Sequence, residues 1–124
     1  MATHDDPIER LRNALTDIEA AAGDNAERSR QLQRRANQLR QQLEAGKNLV
    51  ELVEAEDTPR MVELISTNMA TLETAGAEFR AAEALALRAR GLTIEAIADL
   101  FGVTRQRISA LLKQKAATQI DMKH

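Results

Sequence analysis

The sequence has 124 residues, a net charge of −2, two aromatic residues and no cysteine, which allows one ordinary domain or a small domain with an arm. Disulfides and thiolate metal sites are excluded, and because His4 and His124 lie at opposite ends of the chain, we expect no metal and no cofactor. No apolar run approaches ~18 residues and no signal peptide is recognisable, so we expect a cytoplasmic protein.

The residue usage favours helices throughout. Ala, Leu, Arg, Glu and Gln dominate, so the apolar surface available for burial is mostly aliphatic and suits helical packing. We predict an all-α fold, in which a long N-terminal helical hairpin or coiled coil is followed by a C-terminal three-helix domain. The predicted regions are residues 1–78 for the helical hairpin or coiled coil through which the chain self-associates, residues 79–115 for the three-helix domain, and a tail over residues 116–124.

The N-terminal arm shows a heptad pattern. Apolar or small residues recur at alternating steps of three and four over residues 8–53, and Asp6 and Pro7 predict where the helix begins. Gly23 interrupts the pattern, so one bent helix and two helices are both compatible with it. A continuous helix would span about 69 Å at ~1.5 Å per residue, which requires a partner helix.

A second helix is predicted after Thr58 and Pro59, which repeat the cap-then-proline signature. Its apolar seam consists of Val62, Ile65, Met69, Leu72, Gly76 and Phe79. We interpret residues 7–76 as a helical hairpin with unequal legs. Opposite charges predict antiparallel packing, with Arg34, Arg35 and Arg40 on the long leg facing Glu63, Glu73 and Glu78 on the short one.

Two interpretations of these seams remain open. The favoured one is self-association through the N-terminal helices, in which the polar Asn25 at a seam position helps to fix register and oligomeric state. The alternative is a monomeric helical bundle, in which the Arg- and Gln-rich residues 28–42 form a solvated face. A minor hypothesis is that the arginines of this stretch, Arg28, Arg30, Arg34, Arg35 and Arg40, contact DNA phosphates.

Charge is distributed unevenly along the chain. Residues 1–78 hold nine Lys/Arg against fifteen Asp/Glu, whereas residues 79–124 hold eight against four. The C-terminal third is therefore basic, and a basic segment favours binding to a polyanion.

The stretch from Phe79 reads FRAAEALALRARGLTIEAIADLFGVTRQRISALLKQK and predicts three helices. Gly91 closes the first, Thr93 caps a second over residues 94–101, Gly102 makes the turn, and Thr104 caps a third helix. The predicted core residues are Ile97, Ala98, Phe101, Val103, Ile108 and Leu111.

With a small residue at Ala98, a turn glycine and two threonine caps, the stretch resembles the helix-turn-helix of Hin-type resolvases and of region four of bacterial sigma factors. The resemblance covers about 35 of the 124 residues. It implies that the third helix enters the major groove while the second braces it across the backbone. Catalysis is not implied, because resolvases carry their nucleophilic serine in a separate domain.

The hydrophilic side of the third helix carries the predicted DNA contacts. With Ile108 inward, Gln106, Ala110 and Lys113 point outward, and Gln106 is the first candidate for reading a base because glutamine pairs bidentately with adenine. Helix N-terminal N–H groups after the threonine caps suit phosphate oxygens. The candidate DNA-binding residues are Thr93, Thr104, Arg105, Gln106, Arg107, Ser109, Ala110 and Lys113, with Arg88 and Arg90 as candidate phosphate contacts.

These observations predict a bacterial DNA-binding transcriptional regulator or nucleoid-associated protein that acts as a homodimer. The alternative is a coiled-coil interaction protein whose sigma-like domain docks on RNA polymerase or another protein. We expect no enzymatic activity, because the sequence shows neither a Gly-rich phosphate loop nor carboxylates paired with a histidine.

Overall fold

The computed structural model describes residues 6–114, and in this range the chain forms five α-helices and no strand. The helices are α1 (Pro7–Glu44), α2 (Leu49–Glu54), α3 (Met61–Ala89), α4 (Ile94–Phe101) and α5 (Arg105–Leu112). The all-helical prediction is confirmed. None of these helices is long and apolar enough to cross a membrane. The predicted tail, residues 116–124, and both histidines lie outside the described residues.

Helix α1 is one continuous helix that runs through Gly23. It begins where the sequence predicts, because the N–H of Ile8 donates to Asp6 Oδ1 over 3.0 Å. It ends earlier than the heptad pattern suggests, at Glu44, and Gly46 follows with a φ of +82°. Asn48 then caps the short helix α2 by accepting from the N–H of Glu51.

Helix α3 begins at Met61, two residues later than the proline pattern predicts. Two carboxylates, rather than Thr58, accept its first N–H groups. Glu63 Oε1 accepts from the N–H of Arg60 and Glu56 Oε2 accepts from that of Met61, each over 2.7 Å. Helix α3 then continues to Ala89, so the first helix of the predicted C-terminal domain is its second half.

The described chain divides into two compact units, and α1 and α3 contribute to both. We call Ala20–Glu73 the hairpin unit, and we call the rest of the described chain, residues 6–19 and 74–114, the core unit. This division differs from the sequence-based one, which placed residues 6–19 with the oligomerisation region.

In the hairpin unit, polar side chains join α1 to α3 in an antiparallel arrangement. Asn25 Nδ2 donates to the carbonyl oxygen of Asn68 over 3.0 Å, and Arg28 Nη1 donates to Asn68 Oδ1 over 3.0 Å. Further along α1, Arg35 donates to the carbonyl oxygen of Pro59. Asn25 therefore fixes the register of helices within one chain.

The predicted charge pairs across the hairpin do not form among the described residues. Arg40 pairs with Glu44 on its own helix. Glu63 caps its own helix, and Glu78 pairs with Arg10 in the core unit. This part of the prediction was wrong because the register set by Asn25 and Asn68 places Arg35 opposite Asp57 and Pro59, which precede α3, and not opposite its glutamates.

The apolar seam predicted for α3 does not line the hairpin contact. Its members Val62 and Met69 are 69% and 68% exposed, and Ile65 and Leu72 are also exposed. The side of α3 that is withdrawn from solvent carries Leu64, Asn68 and Thr71 instead.

The core unit contains a hydrophobic cluster built from α3, α4 and α5. Its buried members are Ala81, Ala84, Ile97, Ala98, Ile108 and Leu111, and Leu87, Leu92, Ile94, Phe101 and Leu112 pack against it. Ile97 and Ile108 are the largest fully buried side chains in the described chain. Ala81 and Ala84 form the α3 side of this cluster, and Ile97, Ala98, Ile108 and Leu111 form the side contributed by the two short helices.

Candidate nucleic-acid interface

Both short helices begin with a threonine cap, as the sequence predicts. Thr93 and Thr104 have extended backbone geometry, with ψ of 160° in each case. Thr93 Oγ1 accepts from the N–H of Ala96 over 3.0 Å, and Thr104 Oγ1 accepts from the N–H of Arg107 over 3.1 Å. Each cap leaves other first-turn N–H groups free, and such groups are suited to phosphate oxygens.

The turn between α4 and α5 depends on Gly102. Its φ of +69° lies in the left-handed region that residues with a Cβ atom rarely adopt. The next N–H, that of Val103, donates to the carbonyl oxygen of Ala98 over 3.1 Å. Together these features close α4 and direct the chain into α5.

Val103 is not a core residue, contrary to the sequence prediction. Its side chain is 40% exposed, although its backbone is fixed by the bond to Ala98. It borders a shallow groove with Leu100, Phe101 and Arg107. The other predicted core positions of α4 and α5 are withdrawn from solvent. The error therefore concerns only Val103, which lies between the C-cap of α4, Gly102, and the N-cap of α5, Thr104.

Helix α5 has one buried and one exposed side. Ile108 and Leu111 are buried and Leu112 is half-buried, whereas Gln106, Ala110 and Lys113 are exposed. The predicted orientation of the helix is therefore confirmed. Arg105 and Arg107 are also exposed, and Ser109 is half-buried at the edge. The exposed residues form a surface of donors and a methyl group of the kind that reads base edges.

The cations of this surface take part in none of the ion pairs within residues 6–114, and Glu83 borders the same groove as Arg107. Among the described residues, neither Arg105, Arg107 nor Lys113 forms an ion pair, and no acidic residue lies on α5. Cations outside ion pairs at the start and end of one short helix create a positive potential where an anion would approach.

The two arginines predicted as phosphate contacts differ. Arg88 Nη1 donates to the carbonyl oxygen of Leu92 over 2.9 Å, so this side chain supports the turn between α3 and α4. Arg90 is exposed and its side chain has no hydrogen-bond partner among the described residues. Gly91, next to it, has a φ of +100°, as expected for the residue that closes a helix.

One ion pair of the core unit, between α1 and α3, was missed from sequence. Arg10 Nε lies 2.8 Å from Glu78 Oε2, and both side chains are largely buried, with 12% and 17% of their surface exposed. A second bond joins Arg10 Nη2 to Glu78 Oε1 over 3.1 Å. The pair anchors the beginning of α1 on α3 within the core unit. The available signal was Ala14, a small residue one helical turn after Arg10 that is fully buried here.

No group of three or more acidic, histidine or cysteine residues that suits a metal ion occurs within residues 6–114.

Comparison with protein families gives one match. Residues 77–118, about a third of the chain, match the homeodomain-like domain family. This range contains the end of α3 and all of α4 and α5. The chain therefore contains a helix-turn-helix DNA-binding domain, and DNA is its partner. No curated protein and no solved structure matches the chain.

Proposed function

We propose that the protein is a DNA-binding transcriptional regulator or nucleoid-associated protein that inserts α5 into the major groove. The observation that carries this proposal is the exposed side of α5, where Gln106, Ala110 and Lys113 are solvent-accessible while Ile108 is fully buried. A helix held from behind by such a core presents its outer side in a fixed orientation, which base reading requires.

Individual roles follow from chemistry and position. Gln106, in the first turn of α5, is the proposed base reader. Ala110 contacts a thymine methyl group, and the hydroxyl of Ser109 can donate to a base edge or accept from it. Arg105 and Arg107 bind phosphates or read guanine. Lys113 binds a phosphate, and the N–H groups after the caps of Thr93 and Thr104 do the same. Arg90 adds a phosphate contact beyond α3, and Arg88 is a secondary candidate because it already bonds to Leu92.

One such module binds weakly at physiological salt, because few cations contact phosphates. We therefore propose that the protein acts as a homodimer through its N-terminal helices, with one α5 for each half-site. Linking two modules raises apparent affinity through effective concentration. A bacterial nucleoid location follows from this role.

Fluorescence anisotropy with labelled duplexes over a salt series tests the proposal. Sites are first selected from a random duplex library with the full chain. Gln106→Ala should weaken binding to the selected duplex by about 5- to 150-fold, equivalent to ~1–3 kcal/mol, and reduce the preference over random DNA. Lys113→Ala should weaken binding to both duplexes alike and reduce the salt slope by about one unit.

Equal losses from both substitutions on both duplexes would remove Gln106 as a base reader and leave a sequence-tolerant architectural role. Absence of binding to any duplex at low salt would refute the proposal.

A second candidate function is docking on RNA polymerase or another protein, and one observation favours it. Leu100 on α4 is 67% exposed and borders the groove that contains Phe101 and Val103. Exposed apolar side chains beside a groove are typical of protein contacts.

Purified RNA polymerase, titrated with the labelled chain, tests this alternative. Binding that is abolished by Leu100→Asp but retained by Gln106→Ala would support docking. Binding that is absent, or unaffected by Leu100→Asp, would remove it.

A further inference from the structure

The hairpin unit lacks a hydrophobic core of its own. The buried cluster of the described chain belongs to the core unit, whereas Ala21 and Leu64 are the only buried apolar residues of the hairpin unit. Most exposed large aliphatic side chains also lie in the hairpin unit: Leu43, Leu49, Val50, Val53, Val62, Ile65, Met69 and Leu72. This unit therefore leaves apolar surface exposed that a further helix pair would cover.

The exposed residues of α3 form a straight row, which we call the α3 stripe: Val62, Ile65, Met69 and Leu72. At ~100° per residue the stripe is centred about 100° around α3 from the side that bonds to α1. No charged residue interrupts it.

A row of small residues lies beside the stripe on α1, and we call it the α1 row: Ala22, Ala26 and Ser29, all exposed. It is centred about 100° from Asn25 and Arg28, in the same rotational sense, and Ser29 forms its inner edge because Ser29 Oγ accepts from Asn68 Nδ2 over 3.3 Å. In an antiparallel pair, equal rotations in the same sense fall on the same side of the hairpin. The bond between Asn25 and Asn68 places the row and the stripe at the same level.

This face is complementary to itself. Bulky side chains of the α3 stripe can pack onto the small residues of another copy's α1 row, and the reverse contact then forms by symmetry. A shallow apolar groove lined by Ala36, Leu39, Leu43 and Met61 extends the same face.

Charge favours the same arrangement. The α1 part of the hairpin unit carries five Arg against three Asp/Glu, whereas the α3 part carries two Glu and no Lys or Arg. Helix α1 against a partner's α3 avoids the repulsion that the glutamates of two facing α3 helices would create.

From this geometry we infer that the occupant of the face is a second copy of the chain. Two hairpin units pack face to face about a two-fold axis parallel to the helices, with the α3 stripe of each copy on the α1 row of the other. The result is an antiparallel four-helix bundle. The inference rests on the proposed homodimeric function and specifies its interface.

The face measures on the order of 550 Å² per copy, from helices ~10 Å wide and 1.5 Å of rise per residue, which is below a standard interface. A face of this size is in the range of weak interfaces, so the dimer should depend on protein concentration.

Sedimentation equilibrium of the full chain from about 1 to 100 µM tests this interface. The wild type should reach dimer mass in this range, and Ile65→Glu/Met69→Glu should remain monomeric. The matched control is Ser66→Glu/Ala70→Glu, which adds the same charges at the same spacing on another exposed side of α3 and should dimerise like the wild type. A monomeric wild type, or a stripe variant that still dimerises, would overturn the inference.

A second measurement does not require the interface to be disrupted. Because the chain has no cysteine, Met69→Cys and Ala70→Cys introduce single thiols on neighbouring sides of α3. Modification by a thiol reagent should slow several-fold for Met69→Cys between low and high protein concentration and stay constant for Ala70→Cys. Equal behaviour of the two thiols would contradict the proposed face.

DNA binding separates this inference from the proposed function. If the interface is as described, Ile65→Glu/Met69→Glu binds a duplex at low salt about 10²- to 10⁴-fold more weakly than wild type, and Gln106→Ala remains a dimer. A monomeric wild type that binds DNA overturns the interface alone. A dimer that binds no DNA supports the interface and overturns the proposed function.

Discussion

Two glycine-to-alanine substitutions should change stability in opposite directions. A Cβ atom built at either Gly23 or Gly102 meets no atom within 4 Å, so steric overlap contributes at neither position. The difference lies in the backbone, because Gly23 is within α1 whereas Gly102 has a φ of +69°.

The magnitudes follow from these conformations. Alanine at position 23 lowers the conformational entropy of the unfolded chain without strain, so Gly23→Ala should stabilise by about 0.5–1 kcal/mol. Alanine at position 102 must adopt the left-handed region, so Gly102→Ala should destabilise by about 1–2 kcal/mol. Gly102→Asn should cost less, because asparagine tolerates that region better.

Urea denaturation followed by far-UV circular dichroism measures all three variants. We expect a higher urea midpoint than wild type for Gly23→Ala and a lower one for Gly102→Ala, with Gly102→Asn between Gly102→Ala and wild type. A destabilised Gly23→Ala would show that α1 is not a continuous helix at this point. An unchanged Gly102→Ala would refute the left-handed turn.

Three further substitutions test contacts that stabilise the fold. Thr104→Ala removes the bond to the Arg107 N–H and should cost about 1 kcal/mol by chemical denaturation, whereas Thr104→Ser should retain most of the stability. Arg10→Ala should lower the free energy of unfolding by about 1–3 kcal/mol, since it leaves the largely buried Glu78 without its partner. A double-mutant cycle with Glu78→Ala should give a coupling energy above about 0.5 kcal/mol. Purely additive losses would argue against the pair. Asn68→Ala should cost about 1 kcal/mol and speed amide hydrogen exchange in the hairpin unit, and unchanged exchange there would contradict its role in joining α1 to α3.

Local signals made the helix-turn-helix predictable from sequence. Thr93, Gly102 and Thr104 act through backbone geometry within a few residues, so their types indicate the caps and the turn directly. The orientation of α5 followed for the same reason, because Ile108 and Leu111 lie on one side of a short helix whose opposite side is polar.

The hairpin was less predictable, because periodicity identifies an apolar side of a helix without saying what it contacts. The α3 stripe was the most apolar row available, but the helix bonds to α1 through Asn68 and packs with Leu64. The polar contacts between Asn25, Arg28 and Asn68 involve residues far apart in sequence, and no local pattern predicts such pairs. Continuity at Gly23 was also undecided, since one interior glycine costs only about 1 kcal/mol.

The central claim is that DNA binds the exposed side of α5. An NMR titration of the ¹⁵N-labelled chain with a selected duplex tests it most directly, because each backbone amide reports separately. The account predicts the largest shifts at Gln106, Ala110 and Lys113 and in the first turns of α4 and α5. Shifts confined to the arginine-rich residues 28–40 of α1, or no shifts at low salt, would contradict it.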